Sequence, residues 1–216
     1  MFGQLPLLLF FLGTHLWCRL CHGAPLLVFH VYRGDTRSPK EIKMLGGFLP
    51  KGQASFGLQT QDTSLFNHMK GTHSIGSRDE DGYVSTSSSE SVAAVFVYGK
   101  PSAYVYKIHV TPNLIDTVGT LGKYSEFDEE SEWAALGGIK YEQIVSWRPL
   151  NGRKLGSTTK NKDYDKAKYG LALNGGVQYQ LAGFPPNHEA WDEEPWKNHK
   201  PSKRHIGKKP GPVLIS

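Results

Sequence analysis

Two glutamates, Glu130 and Glu132, have the spacing that points most directly to chemistry. They close an acidic run that begins at Glu126 and leads straight into the apolar segment 133–139. The earlier carboxylates of such a run are typical of a solvated loop. In an extended backbone, residues i and i+2 face the same way, so Glu130 and Glu132 are predicted to point into one pocket. Two carboxylates there can divide labour, one stabilising a cation while the other orients or deprotonates a partner.

An arginine and a run of hydroxyl side chains complete the set. Arg33 closes a strand pattern just before a turn, where a guanidinium can bind a phosphate or a carboxylate through two hydrogen bonds. A structural ion pair is the equal alternative. Ser85, Thr86 and Ser87 join a strand pattern to a helix pattern. Helix capping is expected of Ser87, which leaves Ser85 and Thr86 as further hydroxyl groups.

The elements that must position these side chains are short. Runs rich in β-branched and aromatic residues predict strands at 26–33, 83–85, 103–110 and 141–147. Ser38 and Glu41 form a capping-box pattern, and Gly46-Gly47 ends the helix it opens. Ser87 with Glu90 predicts a second capping box, for a helix that runs to Gly99. Because strands and helices do not alternate at regular βαβ spacing, the predicted fold class is α+β.

Charge is distributed unevenly over the 216 residues, whose formal net charge is +5. Residues 197–216 hold six of the 25 basic residues and no acid, whereas residues 24–196 hold 18 basic residues and all 20 acids. The body is therefore mildly acidic and is not predicted to bind nucleic acid. Residues 197–216 are predicted to be a disordered, basic tail. A hydrophobic content of 38% is enough for a core, and no apolar run beyond the N-terminus has the length of a membrane span.

The N-terminus has the pattern of a secretory signal. An apolar stretch from Leu5 to Leu12 has the length of a signal-peptide core, and Gly23 offers a cleavage point, so residues 1–23 are predicted to be a signal peptide. Both cysteines, Cys18 and Cys21, precede that point, so the secreted chain is expected to hold its fold without disulfides.

Several common catalytic patterns are absent from the sequence. It contains no H-E-x-x-H zinc motif, no G-x-S-x-G nucleophile elbow, and neither a G-x-G-x-x-G nor a Walker loop. A metal site, a serine hydrolase and a Rossmann or P-loop nucleotide site are therefore not predicted.

Taken together and in this order, the blocks resemble the A subunits of cholera toxin and heat-labile enterotoxin, which are arginine-specific mono-ADP-ribosyltransferases with an Arg, Ser-Thr-Ser, Glu-x-Glu signature. The resemblance covers most of the body. It rests on the blocks at 32–47, 81–87, 130–139 and 181–196. It implies an ADP-ribosyltransferase fold: two small β-sheets that meet across an NAD cleft, with short helices outside.

The resemblance implies a role for each catalytic candidate. Glu132 is the expected catalytic residue, and Glu130 is expected to engage the acceptor arginine. Ser85 is expected to hold the catalytic carboxylate in place. His68 matches a histidine of the family's active-site loop, with a plain surface histidine as the equal alternative.

The same resemblance implies the NAD-binding residues. Arg33 is expected to anchor NAD, and the stretch 33–47, including Asp35 and Arg37, to line the cleft. Thr86 and Ser87 are expected to support the cleft wall beside Ser85. NAD is the substrate implied, and no metal is.

The chemistry suits these residue types independently of the resemblance. Breaking the nicotinamide–ribose bond builds a cation on the ribose, which a preorganised carboxylate stabilises. The acceptor guanidinium has a pKa above about 12, so it is protonated at neutral pH and is not nucleophilic. A second carboxylate is therefore needed to orient it and to accept a proton from it.

The predicted function is that of a secreted toxin or virulence effector that transfers ADP-ribose from NAD to an arginine of a host protein. The family expectation for that protein is a G-protein α subunit. The resemblance ends after Trp196, before the cysteine through which the toxins join the segment that threads a pentameric binding subunit, so a pentamer is not carried over. Three alternatives stay open: an NAD glycohydrolase using the same site, an inactive secreted binding protein of the same fold, and a nucleic-acid or membrane binder acting through the tail.

Overall fold

The computed structural model describes residues 27–54, 61–73, 79–126, 128–171 and 175–201. The predicted signal peptide with Cys18 and Cys21, and most of the predicted tail, lie outside these residues. The strands are β1 His30–Asp35, β2 Gly47–Phe48, β3 Tyr83–Ser87, β4 Tyr104–His109, β5 Leu114–Asp116, β6 Glu132–Leu136, β7 Ile139–Lys140, β8 Ile144–Asn151, β9 Lys154–Leu155 and β10 Thr159–Lys160. The α-helices are α1 Pro39–Met44, α2 Lys51–Ala54, α3 Leu65–His73, α4 Glu90–Val95, α5 Thr117–Leu121 and α6 Lys166–Tyr169.

The strands form a long antiparallel sheet in the order β10-β8-β4-β1-β3-β6-β5, with β9 paired to β8, and a small sheet of β2 and β7. Within the long sheet, β1 meets β3 through a single residue pair, Tyr32 opposite Ser87. The six residue pairs between β1 and β4, and the five between β3 and β6, are far more extensive. The two predicted sheets are therefore the two halves of one continuous sheet, which are joined by the single residue pair between β1 and β3. The α+β class is confirmed.

Helix α1 begins and ends where its sequence pattern places it. The Ser38 hydroxyl accepts a hydrogen bond from the Glu41 backbone N–H, the Glu41 carboxylate accepts one from the Ser38 backbone N–H, and Pro39 opens the helix. Gly46 and Gly47 follow with φ of +75° and +136°. At Gly47, a Cβ would lie 1.9 Å from the Ile139 carbonyl oxygen, so glycine is needed for the β2–β7 pairing.

Several local predictions are wrong. Strand β1 spans His30–Asp35, so Arg33 lies within it and does not close it, and helix α4 ends at Val95 and not at Gly99. Helix α4 is capped by Ser89, not Ser87, because the Ser87 hydroxyl donates to the Glu130 carbonyl oxygen and accepts from the Ser89 N–H instead. The strand predicted from 141 begins at Ile144, since residues Tyr141–Gln143 form a 3₁₀ turn. The Gln143 side chain in that turn donates to the carbonyl oxygen of His109, which fixes the turn against β4.

The core lies on both halves of the sheet. One cluster packs β1, β4 and β6 around the fully buried side chains of Tyr106 and Phe48. A second cluster packs helix α3 against the C-terminal segment, whose aromatic members are Phe184, Trp191 and Trp196. The site strands β3 and β6 lie between the two clusters, so both their faces are supported by packing.

The C-terminal part of the described chain consists of 3₁₀ turns, among them Glu189–Asp192 and Trp196–His199. The second of these turns extends into the segment predicted to be a tail, and Lys197 forms an ion pair with Glu194. Among the described helices, none is long and apolar enough to cross a membrane.

Candidate active site

A cavity of about 280 Å³ opens where β1 leaves β3. Six of the residues singled out from the sequence line it: Arg33, Ser85, Thr86, Ser87, Glu130 and Glu132. The strand register explains the grouping, because Ser87 is opposite Tyr32 of β1 on one side and opposite Glu132 of β6 on the other.

Glu132 begins β6 and is only 4% exposed. Its Oε1 atom lies 3.1 Å from Nε2 of His68, while Oε2 is buried without a hydrogen-bond partner among the described residues. Its backbone carbonyl accepts a hydrogen bond of 2.9 Å from the Thr117 hydroxyl. A buried carboxylate oxygen that lacks a donor is costly, so this oxygen has an unused capacity to accept a hydrogen bond.

Glu130 reaches the same cavity by a different route from the one predicted. The extended backbone expected between Glu130 and Glu132 is wrong: Asp128–Glu130 is a 3₁₀ turn, and Ser131 has a φ of +46°. The turn is tied to β3 by the Ser87 hydroxyl, which donates to the Glu130 carbonyl at 2.8 Å, and by the backbone N–H of Ser88, which donates to the Ser131 carbonyl. Glu130 and Glu132 therefore line the same cavity through a left-handed residue and these hydrogen bonds, not through an extended backbone.

The three hydroxyl residues hold three different parts of the site. Ser85 Oγ lies 3.3 Å from His68 Nε2, so its contact with Glu132 runs through the histidine. Thr86 donates to the Trp133 carbonyl oxygen and so joins β3 to β6. Ser87 fixes the Glu130 turn.

Arg33 is held at the cavity edge by the backbone and by a carboxylate. Its Nη1 donates to the Ser85 carbonyl at 2.7 Å, and its guanidinium lies 3.3 Å from Asp35 and stacks on the Phe48 ring. Burial lowers the pKa of Arg33, whereas Asp35 acts in the opposite direction, and the side chain stays a cation at neutral pH.

Asp35 and Arg37 lie beside the cavity, outside its described lining. Arg37 binds Asp35 through two side-chain hydrogen bonds of 2.8 and 2.6 Å, and its backbone N–H donates a third. Burial alone would raise the pKa of Asp35, but its hydrogen bonds with Arg37 and the charge of Arg33 hold that pKa below its ordinary value. Asp35 is thus the anion that holds two guanidiniums together.

His68 lies behind Glu132 and is 4% exposed, which excludes the alternative of a plain surface histidine. Its Nδ1 lies 2.8 Å from Asp81 Oδ2. Burial alone would lower the pKa of His68, but the hydrogen bonds with Asp81 and Glu132 raise it to about 9.

Asp81 is a site residue that reasoning from the sequence missed. A signal was present, because residues 81, 83 and 85 alternate with the period of a strand and so share a face with Ser85. The proximity of Asp81 to His68 had no such signal, since it depends on how helix α3 packs on β3.

One wall of the cavity is apolar. Tyr32, Ala93 and Phe96 line it, and Phe96 is 58% exposed at the mouth. The arrangement as a whole places a cation, a hydroxyl-bearing strand and two carboxylates around a cavity with one aromatic edge. Nowhere in the described ranges do three or more His, Cys, Asp or Glu side chains group as metal ligands would.

Comparison with known proteins gives a consistent family. The family model for the heat-labile enterotoxin alpha chain matches residues 21–210. The A subunit of cholera enterotoxin from Vibrio cholerae is 40% identical over 183 residues, which cover 79% of this chain and 70% of that protein.

Two further likenesses extend this result. The Vibrio cholerae protein Chelt, an NAD(+)–arginine ADP-ribosyltransferase, is 37% identical over 179 residues, or 79% of this chain and 30% of Chelt. The crystal structure of an Escherichia coli heat-labile enterotoxin mutant superimposes with a TM-score of 0.70 at 37% identity, covering 80% of this chain and 98% of that one.

Proposed function

This chain belongs to the heat-labile enterotoxin alpha chain family, and from that membership we propose that it transfers ADP-ribose from NAD to an arginine side chain of a protein. One observation in the site carries the proposal. A buried glutamate, Glu132, lines a cavity beside a second glutamate, Glu130; its Oε1 is held by His68, and its Oε2 has no hydrogen-bond partner among the described residues.

The residues around the cavity suit NAD as a substrate. The cation of Arg33 at the edge is complementary to a pyrophosphate, and the aromatic wall at Tyr32 and Phe96 suits a planar ring. The unpartnered Oε2 of Glu132 suits a ribose hydroxyl, which would supply the missing donor. NAD brings to the site a nicotinamide–ribose bond whose cleavage places positive charge on the ribose.

In the proposed mechanism, Glu132 stabilises that developing charge. Its carboxylate is already oriented by His68, so little reorganisation is needed when the charge appears. Glu130 orients the acceptor guanidinium and accepts a proton from it as the new bond to the ribose forms. The Ser87 hydroxyl keeps the backbone of Glu130 facing the cavity.

The proposed acceptor is a host protein, and a G-protein α subunit is the family expectation for its identity. We propose that the chain is secreted through residues 1–23 and that residues 24–196 form the transferase domain. A pentameric binding subunit and a nucleic-acid partner are not part of the proposal.

The proposal is tested by incubating the purified protein with NAD and agmatine, a small guanidine acceptor. Formation of ADP-ribosyl-agmatine is expected, and Glu132→Gln should lower its rate by about 10²–10³-fold, the usual cost of removing one preorganised charge-stabilising group. Glu193→Gln is the matched control, since it removes an exposed ion pair with Lys123 and should leave the rate unchanged.

The same assay separates the two rival functions. Release of free ADP-ribose without an agmatine adduct would identify an NAD glycohydrolase. Equal and slow NAD consumption by the protein and its Glu132→Gln variant would identify a binding protein without turnover. Glu130→Gln should lose the adduct while still releasing nicotinamide, because water needs no second carboxylate to orient it.

A further inference from the structure

The ring of His68 lies between two carboxylates. Asp81 Oδ2 is 2.8 Å from Nδ1, and Glu132 Oε1 is 3.1 Å from Nε2. A neutral imidazole has one N–H donor and one acceptor, whereas an ionised carboxylate only accepts. Both contacts are hydrogen bonds at once only when both ring nitrogens carry a proton.

Asp81 is itself fixed from three sides. Its Oδ1 accepts a 3.0 Å hydrogen bond from the Tyr83 backbone N–H, and its carbonyl oxygen accepts one from the Gly52 N–H. Its backbone also pairs with Asp62 in an isolated parallel bridge. The backbone of Asp81 and its Oδ1 atom are therefore held by neighbouring segments, and Oδ2 is the oxygen that binds the ring of His68.

We propose that Asp81 is a positioning residue for the transferase reaction: it keeps His68 doubly protonated, and the charged ring holds Oε1 of Glu132 so that this carboxylate keeps its place in the cavity wall. Asp81 does not touch the cavity and acts through His68. The inference rests on the proposed function for its effect on turnover, but the arrangement itself can be tested without turnover.

The charged groups around His68 favour this state. Asp81 and Glu132 face the two nitrogens, and Asp62 lines a small cavity together with His68 and Asp81. The positive charge of Arg33 also acts on Glu132. The Tyr83 ring packs 5.1 Å from the His68 ring, and burial raises the pKa of its hydroxyl, so that hydroxyl stays neutral.

The pH dependence follows from the raised pKa of His68. A group whose pKa is higher in the folded protein contributes stability that is fully present below its ordinary value of 6.5 and is lost as the pH rises through about 9. Loss of one ring proton leaves a nitrogen lone pair facing one of the two carboxylates and breaks the chain of hydrogen bonds from Asp81 to Glu132. Turnover should therefore fall on the alkaline side near pH 9.

The first test is a heteronuclear NMR titration of the His68 ring in the unmodified protein, with His68→Gln used to assign the signal. Both ring nitrogens are expected to be protonated at pH 7, and the midpoint is expected at about pH 9. A neutral His68 ring at pH 7 would overturn the proposal, even if no variant folds.

The second test is Asp81→Asn in the agmatine assay. We expect kcat to fall by about 10- to 100-fold, because a misplaced catalytic group is costly, with the KM for NAD within about threefold. The alkaline limb of the rate profile should move to lower pH. Asp165→Asn is the matched control, since Asp165 also accepts from a backbone N–H, at the start of α6 far from the site, and should leave kcat and the pH profile unchanged.

The outcomes distinguish the two levels of inference. An Asp81→Asn protein that keeps the kcat and the alkaline limb of the unmodified protein would overturn the proposal, as would a change confined to KM. If the unmodified protein forms no adduct with agmatine, the proposed function fails, and the NMR titration still decides whether Asp81 keeps His68 charged.

Discussion

At the scale of single residues, the charged side chains of the site are held in place by ion pairs with one another. Asp35 is 7% exposed and lies between the guanidiniums of Arg33 and Arg37. Removing one member of such a group leaves the others with an uncompensated charge, and the penalty exceeds the net value of the pair. The same logic applies to Glu132 and His68, so single substitutions in this region affect both activity and stability.

Asp35→Asn is expected to destabilise the fold by about 2–3 kcal/mol, less than for a fully buried pair because both guanidiniums are partly exposed. Because the pKa of Asp35 is lowered in the folded protein, its contribution is present above its ordinary pKa of 3.8 and is lost as the pH falls below that value. Denaturant unfolding at a series of acidic pH values measures this. The variant should lose part of the decline that the unmodified protein shows below pH 3.8, and a decline of equal size in both proteins would contradict the assignment.

At the scale of elements, two serines that lie two residues apart, Ser87 and Ser89, have different structural roles. The Ser89 hydroxyl caps helix α4 through the Val92 N–H, whereas the Ser87 hydroxyl holds the Glu130 turn. Ser87 ends β3 and Ser89 precedes α4 only two residues later, so a sequence pattern alone does not assign the two roles.

Ser89→Ala should therefore cost about 1 kcal/mol of stability, the usual value of a helix cap, with transfer to agmatine unchanged. Ser87→Ala should reduce transfer to agmatine more than it reduces nicotinamide release, because the Glu130 backbone loses its tie. The two proteins form a matched pair, and thermal unfolding and the agmatine assay distinguish them. The reverse result, in which Ser87→Ala loses stability and Ser89→Ala loses transfer to agmatine, would show that Ser87 is the helix cap.

Much of the fold and of the site was predictable from the sequence, and the exceptions have physical reasons. The capping box of α1 depends on neighbouring residues alone, so its pattern sufficed. The pairing of β1 with β3 through Tyr32 and Ser87, the left-handed Ser131 and the contact of Asp81 with His68 depend on how distant segments pack. No local pattern contains that information. Glu130 and Glu132 do line one cavity, as the sequence predicts, but the extended backbone expected between them is not what brings them there.

At the scale of the whole molecule, charge separates the proposed transferase domain from the C-terminal residues 197–216. The acids and most of the basic residues lie within 24–196, and the six basic residues of 197–216 stand without acidic neighbours in that segment. The net charge of +5 therefore describes the sum of two regions with different character.

A chain ended after Pro201 is expected to transfer ADP-ribose to agmatine at the rate of the full chain, because the residues that carry the proposed chemistry lie between 33 and 132. The same pair of proteins should be compared for binding to RNA and to anionic lipid vesicles at low and at physiological salt. Transfer that disappears with residues 202–216 would place part of the active site in that segment.

The pairing of β3 with β6 also determines when the site comes into existence during synthesis. Arg33 and the Ser85–Ser87 strand leave the ribosome well before Glu130 and Glu132, and β6 is the strand that covers the exposed edge of β3. Until residue 132 has been made, a growing chain contains the arginine and the hydroxyl residues of the site but not both of its glutamates. Synthesis thus passes through a long stage in which the polypeptide has no complete catalytic group, because β6 is the last of the site strands to be made and the segment that packs on helix α3 follows later still.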